Sequence, residues 1–205
     1  MGWGVFPTAT MPARWRSFSP PRLTSSLTSA FCRVRVDVRA VRESSMDRLT
    51  AWAQFLSLIL VGVVAGSFVG TQLGQVSVQN ALGARDFTLV KHRFEVAVGG
   101  VMPVLVIGSA LSIALVVGLV AATRRGPVLV LSVLALLLWI AVIVVTLRYN
   151  APVNELAATW DAASPPDDWE ALRDQWHFGH SVRTPLALGS FVCLAMGALW
   201  PRLVP

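Results

Sequence analysis

Charge is what this chain lacks most. Only 14% of its 205 residues are Asp, Glu, Lys or Arg, against 55% apolar. A soluble domain carries roughly 25% charged residues, enough to build a hydrated shell. Mean hydropathy is +0.63. This composition excludes an ordinary soluble fold and implies an integral membrane protein. Cysteine is nearly absent: Cys32 and Cys193 make neither a disulfide framework nor a four-ligand zinc site. Three histidines, His92, His177 and His180, leave room for at most one small metal centre. No Gly-rich phosphate loop, nucleophile elbow or CxxC occurs, so nucleotide, hydrolase and thiol-redox chemistry have no support. Lysine occurs once, as Lys91.

The net charge of +6 suggests nucleic acid until its position is considered. Residues 1–45 hold seven arginines and only Asp37 and Glu43 as acids, so the remainder is almost neutral. Nucleic acid is therefore excluded as a partner. The stretch contains Pro20-Pro21 and many serines, shows no helical or strand period, and reads as a disordered basic tail or an over-extended start before Met46. Its lack of an uninterrupted apolar core argues against a secretory signal.

Four uncharged runs come after it, at about 49–73, 96–122, 127–147 and 184–201. At about 1.5 Å per residue, each spans a hydrocarbon core of ~30 Å, the last barely. Thr123-Arg124-Arg125-Gly126 is too short for anything but an antiparallel hairpin between the second and third. The expectation is an all-α, integral membrane four-helix up-down-up-down bundle over 46–205, with an extramembrane helical segment between spans three and four. It would be multi-pass in the cell membrane. Orientation is ambiguous, since the positive-inside count reverses when the tail is left out. Gly62, Gly66, Gly70 and Gly74 make a small-residue stripe, assigned to packing inside the bundle, with a homo-oligomer face as the alternative.

In this topology the unusual polar residues gather at one membrane face. Gln72, Gln75 and Gln79 share a helical face as span one ends. His92 and Glu95 lead into span two. Arg148-Tyr149-Asn150-Ala151-Pro152-Val153-Asn154 leaves span three. Trp169, Leu172, Trp176, His180 and Arg183 form one stripe entering span four. Polar groups at this depth are costly unless paired or hydrated, so the group marks a pocket. Pro152 should break span three, with Asn150 or Asn154 either capping the next helix or binding substrate. His180 and His92 are the candidate bases. Arg183, one turn from His180, would keep that imidazole neutral and hold an oxyanion. His92, Glu95 and His180 are also a two-histidine, one-carboxylate set of the kind non-haem iron uses, but no HxxxH or HExxH spacing supports it. No metal or other cofactor is therefore assigned.

From Met46 onward the chain resembles the small four-helix membrane family that contains the fungal anthrone oxygenases and many bacterial domains of unknown function. The resemblance lies in the glycine-rich first span, in Tyr149-Asn150-Ala151-Pro152-Val153-Asn154, in Trp160, and in Asp168-Trp169 through Trp176, His180 and Val182-Arg183-Thr184. It implies oxygenation of a polycyclic phenolic ketone without an evident cofactor. A base removes a proton, and the resulting carbanion meets dioxygen. In that reading His180 or His92 is the base, Asn154 and Arg183 bind the oxyanion, and Trp169 and Trp176 form an aromatic wall. The competing class is a non-catalytic membrane protein that binds a lipid, a quinone or a protein partner at the polar end.

Overall fold

The structure is a computed structural model that describes the backbone of residues 24–123 and 126–203 and the side chains of 41–123 and 126–200. The side chain of Cys32, the first 23 residues, Arg124-Arg125 and the Arg202 side chain lie outside it. Residues 45–205 form one compact unit, which holds all four uncharged runs.

Helix α1 runs Thr24–Gly70, continues through a π-helical turn at Thr71–Gln75, and ends as α2, Val76–Asn80. Residues 24–45 belong to this helix. After Pro20-Pro21 no proline or glycine interrupts the chain until Gly62, so nothing breaks the helix over this length. Then come α3 (Ala84–Val98), α4 (Val101–Thr123) and α5 (Gly126–Val145). A second π-helical turn, Thr146–Asn150, joins α5 to α6 (Ala151–Ala157), and α7 spans Trp169–Leu203. No strand occurs among the described residues, only an isolated bridge between Asp161 and Ser164.

Four helices are long and apolar enough to cross a membrane: 41–80, 101–123, 126–157 and 169–200. Their outward faces suit that solvent. Phe55, Ile59 and Val63 of α1, Val104 and Leu111 of α4, Leu137 and Val144 of α5, and Val192 and Met196 of α7 are all exposed. In water such a belt would be a large apolar patch; in lipid it is the matched surface. The protein is a multi-pass, four-helix membrane bundle.

The inner faces meet in one core of Val61, Val64, Ala65 and Phe68 (α1), Ile113 (α4), Ala135, Trp139 and Val142 (α5), and Ala187 and Leu194 (α7). Two side chains tie it to backbone carbonyls. Trp139 Nε1 donates to the Val106 carbonyl at 2.9 Å, and Ser190 Oγ donates to the Ala135 carbonyl at 2.9 Å. Where no water reaches, such bonds remove donors that would otherwise be buried unpaired.

Two local expectations do not hold. Of the glycine stripe only Gly62 packs inside the bundle, where a Cβ would lie 3.1 Å from the Phe191 ring; Gly66, Gly70 and Gly74 face open space. A spacing of four drifts around the helix, and the drift carries the later glycines off the buried side. Nor does Pro152 break span three. It falls in the first turn of α6, where a missing N–H costs least, and the chain passes from α5 to α6 through a widened turn. Neither asparagine caps that helix: Asn150 stands at its N-terminus with no side-chain cap hydrogen bond, and Asn154 lies inside it.

Candidate functional site

The N-terminal half of α7 is the spine of the site. Trp176, His180 and Arg183 advance by four and three, so they share one face. The rings of Trp176 and His180 stack in parallel, 5.1 Å apart. Arg183 reaches back along the helix: its Nε and one terminal nitrogen lie 3.2 and 2.9 Å from His180 Nδ1. His180 Nε2 lies 2.9 Å from the Phe68 carbonyl. An Arg donates only and a carbonyl accepts only, so Nδ1 accepts and Nε2 carries the hydrogen. Both imidazole nitrogens are engaged, and His180 is fully buried.

Both π-helical turns lie at this level. The Phe68 carbonyl, just before the first, accepts from His180. The Tyr149 carbonyl, within the second, accepts from Gln175 Nε2 at 3.4 Å. At the end of the second turn, Asn150 Nδ2 donates to the Trp176 carbonyl at 2.9 Å. Widened turns loosen the backbone ladder and give side chains access to its carbonyls.

A cavity of about 360 Å³ opens beside this spine, within the roughly 300–1,000 Å³ range of small-molecule sites. Most of its wall is apolar: Phe94, Val98, Met102, Val106, Ile143 and Leu147 among others. Its polar groups are Lys91, Glu95, Thr146, Asn154 and Arg183, with Trp176 beside them. Lys91 Nζ donates to Asn154 Oδ1 at 2.6 Å, and Trp176 Nε1 donates to the same oxygen at 2.8 Å. Two donors on one atom fix which end of the Asn154 amide is oxygen. Lys91 Nζ also sits 4.5 Å from the Trp176 ring centroid. Arg183 lies 4.4 Å from the centroid of Phe68, and its third contact is Thr146 Oγ1 at 3.3 Å. No carboxylate lies within ion-pair distance of Lys91 or Arg183 among the described residues. Burial pulls the Lys91 pKa from 10.5 down to about 8; Glu95 opposes this and Arg183 adds to it. An amine so placed exists as both ammonium and free base near neutral pH.

Of the residues expected at the site, Glu95, Asn154, Trp176 and Arg183 line this cavity. The others do not. His180 stands behind Arg183. His92 Nε2 lies 2.6 Å from the Ala157 carbonyl. Trp169 packs against Phe87, ring centroids 5.5 Å apart, with the Arg173 guanidinium 5.0 Å from its own. Asn150 is fully buried on Trp176. Gln72 accepts from Ser181 at 3.4 Å, and Gln75 has both amide atoms buried without a partner. Gln79 binds His177 at 2.9 Å, so Gln72 and Gln79 face α7, and none of the three glutamines lines the cavity. No three His, Cys, Asp or Glu side chains cluster among the described residues, so His92, Glu95 and His180 do not form a ligand set. Sequence reasoning missed Lys91. Two signals pointed to it: it is the single lysine among sixteen arginines, and it lies one turn before Glu95, on the same helical face.

A family model for anthrone oxygenase matches residues 90–193. The chain belongs to the anthrone oxygenase family. No curated protein and no solved structure matches it. The family segment contains every polar residue of the cavity, from Lys91 to Arg183, and leaves out Gln72 and Gln75.

Proposed function

We propose that this protein is a cofactor-independent oxygenase of an anthrone-like phenolic ketone, working in the cell membrane. The observation that carries the reading is a pair of buried basic groups, Lys91 and Arg183, at the inner end of a mostly apolar cavity, neither of them ion-paired among the described residues, with the Glu95 carboxylate on the same wall. Buried charge without a counter-ion is costly. An apolar molecule that develops an oxyanion relieves that cost at the moment the charge forms, which is the condition for catalysis rather than mere binding.

In this reaction the Lys91 amine takes a proton from the activated methylene, becoming ammonium. The electron pair passes to the ketone oxygen, held by the Arg183 guanidinium. The carbanion carbon attacks dioxygen, and the peroxide is protonated by the Lys91 ammonium. Loss of water then turns that carbon into a second carbonyl. The methylene is oxidised by four electrons, one oxygen atom enters the quinone, and the other leaves as water. Asn154 and Trp176 hold the Lys91 amine in place, and the Glu95 carboxylate accepts a hydrogen bond from a phenolic hydroxyl. His180 supports Arg183 from behind instead of acting as the base.

The test is oxygen uptake and quinone formation from an anthrone by the full chain in lipid, with Lys91→Met and Arg183→Met as comparisons. Uptake by the wild type and loss in both variants supports the reading. Tight binding of a quinone with no oxygen uptake in the wild type sinks it and favours the non-catalytic alternative.

A further inference from the structure

The exposed residues that line the cavity, Pro103, Ile107 and Leu147, are all apolar, whereas its polar residues are buried or half-buried. Its inner end holds Lys91, 4% exposed, and Arg183, 9% exposed. Its outer end holds Ile107 of α4, 57% exposed, and Leu147 of the second π-helical turn, 63% exposed, with Pro103 beside them. Both belong to membrane-crossing helices, and their neighbours Val104, Leu111 and Val144 are also exposed. The mouth therefore opens on the lipid-facing belt. This is the reverse of a site filled from water, whose rim carries hydratable side chains.

We infer that the substrate reaches the cavity sideways from the bilayer, between α4 and the π-helical turn that ends α5, with its acidic oxygen end leading. The inference deepens the oxygenase reading and rests on the same cavity being the substrate site. It defines the substrate class: a membrane-dissolved, planar aromatic that is neutral as it passes Ile107 and Leu147. An anion could not cross an apolar mouth cheaply. The substrate therefore ionises only after arrival, when Lys91 takes its proton. Dioxygen is itself apolar and shares the route. The quinone has no enolate for Arg183 to hold, so it is held less tightly than the ionised substrate, through its phenolic hydroxyls alone, and leaves again into lipid.

The test is stopped-flow binding of a fluorescent tricyclic phenol, 1,8-dihydroxyanthraquinone, to the full chain in lipid nanodiscs. Ile107→Trp and Leu147→Trp narrow the mouth at lipid-facing positions where tryptophan is tolerated; Ile107→Ala widens it. Narrowing should slow association and dissociation together, by about tenfold, because a gate changes rates in both directions. Widening should speed both. Lys91→Met should instead raise dissociation alone. Three results would overturn the inference: association unchanged in both tryptophan variants, a change in dissociation alone in those two variants, or no binding by the wild type. If the rates behave as expected and no oxygen is consumed, the oxygenase reading fails while the lateral route stands.

Discussion

Arg183 is held by His180: two guanidinium nitrogens converge on one imidazole nitrogen, at 3.2 and 2.9 Å, while the other imidazole nitrogen is anchored on the Phe68 carbonyl. The histidine is a bracket between α1 and the cation. Arg183→Met should lower kcat/KM for an anthrone roughly 10²–10³-fold, as loss of an oxyanion donor does. His180→Ala should cost roughly tenfold, the scale of one lost hydrogen bond to a charged group, and should leave the pH–rate profile where it was. Steady-state kinetics across pH checks both. A vanished titration in His180→Ala would return the base role to that histidine.

Lys91 governs pH dependence in two ways. As the base it must be unprotonated, so kcat/KM should rise with pH and level off above about 8. Lys91→Met should abolish the rise along with the activity. Stability changes by linkage. The folded-state pKa of about 8 lies below the unfolded 10.5, so between them the unfolded chain binds more protons and stability rises with pH. Below pH 8 the cost of burying the ammonium is felt in full. Thermal unfolding in detergent at about pH 8 and about pH 10 should show this slope in the wild type and lose it in Lys91→Met.

Asn154 is a neutral acceptor between two donors, Lys91 and Trp176. Asn154→Asp keeps the shape and adds a negative charge 2.6 Å from the amine. An opposite charge that close favours the ammonium and should move the rising limb of the pH–rate profile up by roughly one to three units. Activity near the wild-type midpoint should fall while activity at higher pH partly returns. Asn154→Leu should lower activity at every pH. An Asp variant with an unshifted limb would remove Lys91 as the titrating group.

Gly179 sits where α7 crosses the second π-helical turn. A Cβ there would come 2.5 Å from Tyr149 Cβ and 2.9 Å from Asn150 Oδ1, below van der Waals contact with one atom that cannot swing away. Gly179→Ala should therefore destabilise the protein by about 1–3 kcal/mol, as overpacking does, and push the turn that carries Leu147 and Thr146. Thermal unfolding measures the first effect; a changed association rate for the anthraquinone probe measures the second.

The membrane architecture was legible because it needs no partner to be specified. Runs of 18 to 27 uncharged residues have one low-energy conformation in lipid, a helix whose own backbone satisfies its polar groups. The short Arg124-Arg125 link then sets the hairpin. The site was legible only as a region. Spacing within one helix grouped Trp176, His180 and Arg183, which the structure places in mutual contact. It could not tell that Trp169, on the same stripe, would turn to Phe87, because Arg173 and α3 claim it first.

Sequence alone determined which residues share a helix face and which helix ends share a membrane surface, since both depend only on a 3.6-residue period and the count of crossings. The tertiary structure decided which of those faces met a cavity. That depends on how each helix is rotated against its neighbours, and on which polar groups are already satisfied by a backbone carbonyl across the interface. His180 on Phe68, His92 on Ala157 and Asn150 on Trp176 are satisfied in this way and withdraw from the site. Lys91 and Arg183 keep donors to spare beyond the neutral partners they have, so the cavity's positive charge is theirs.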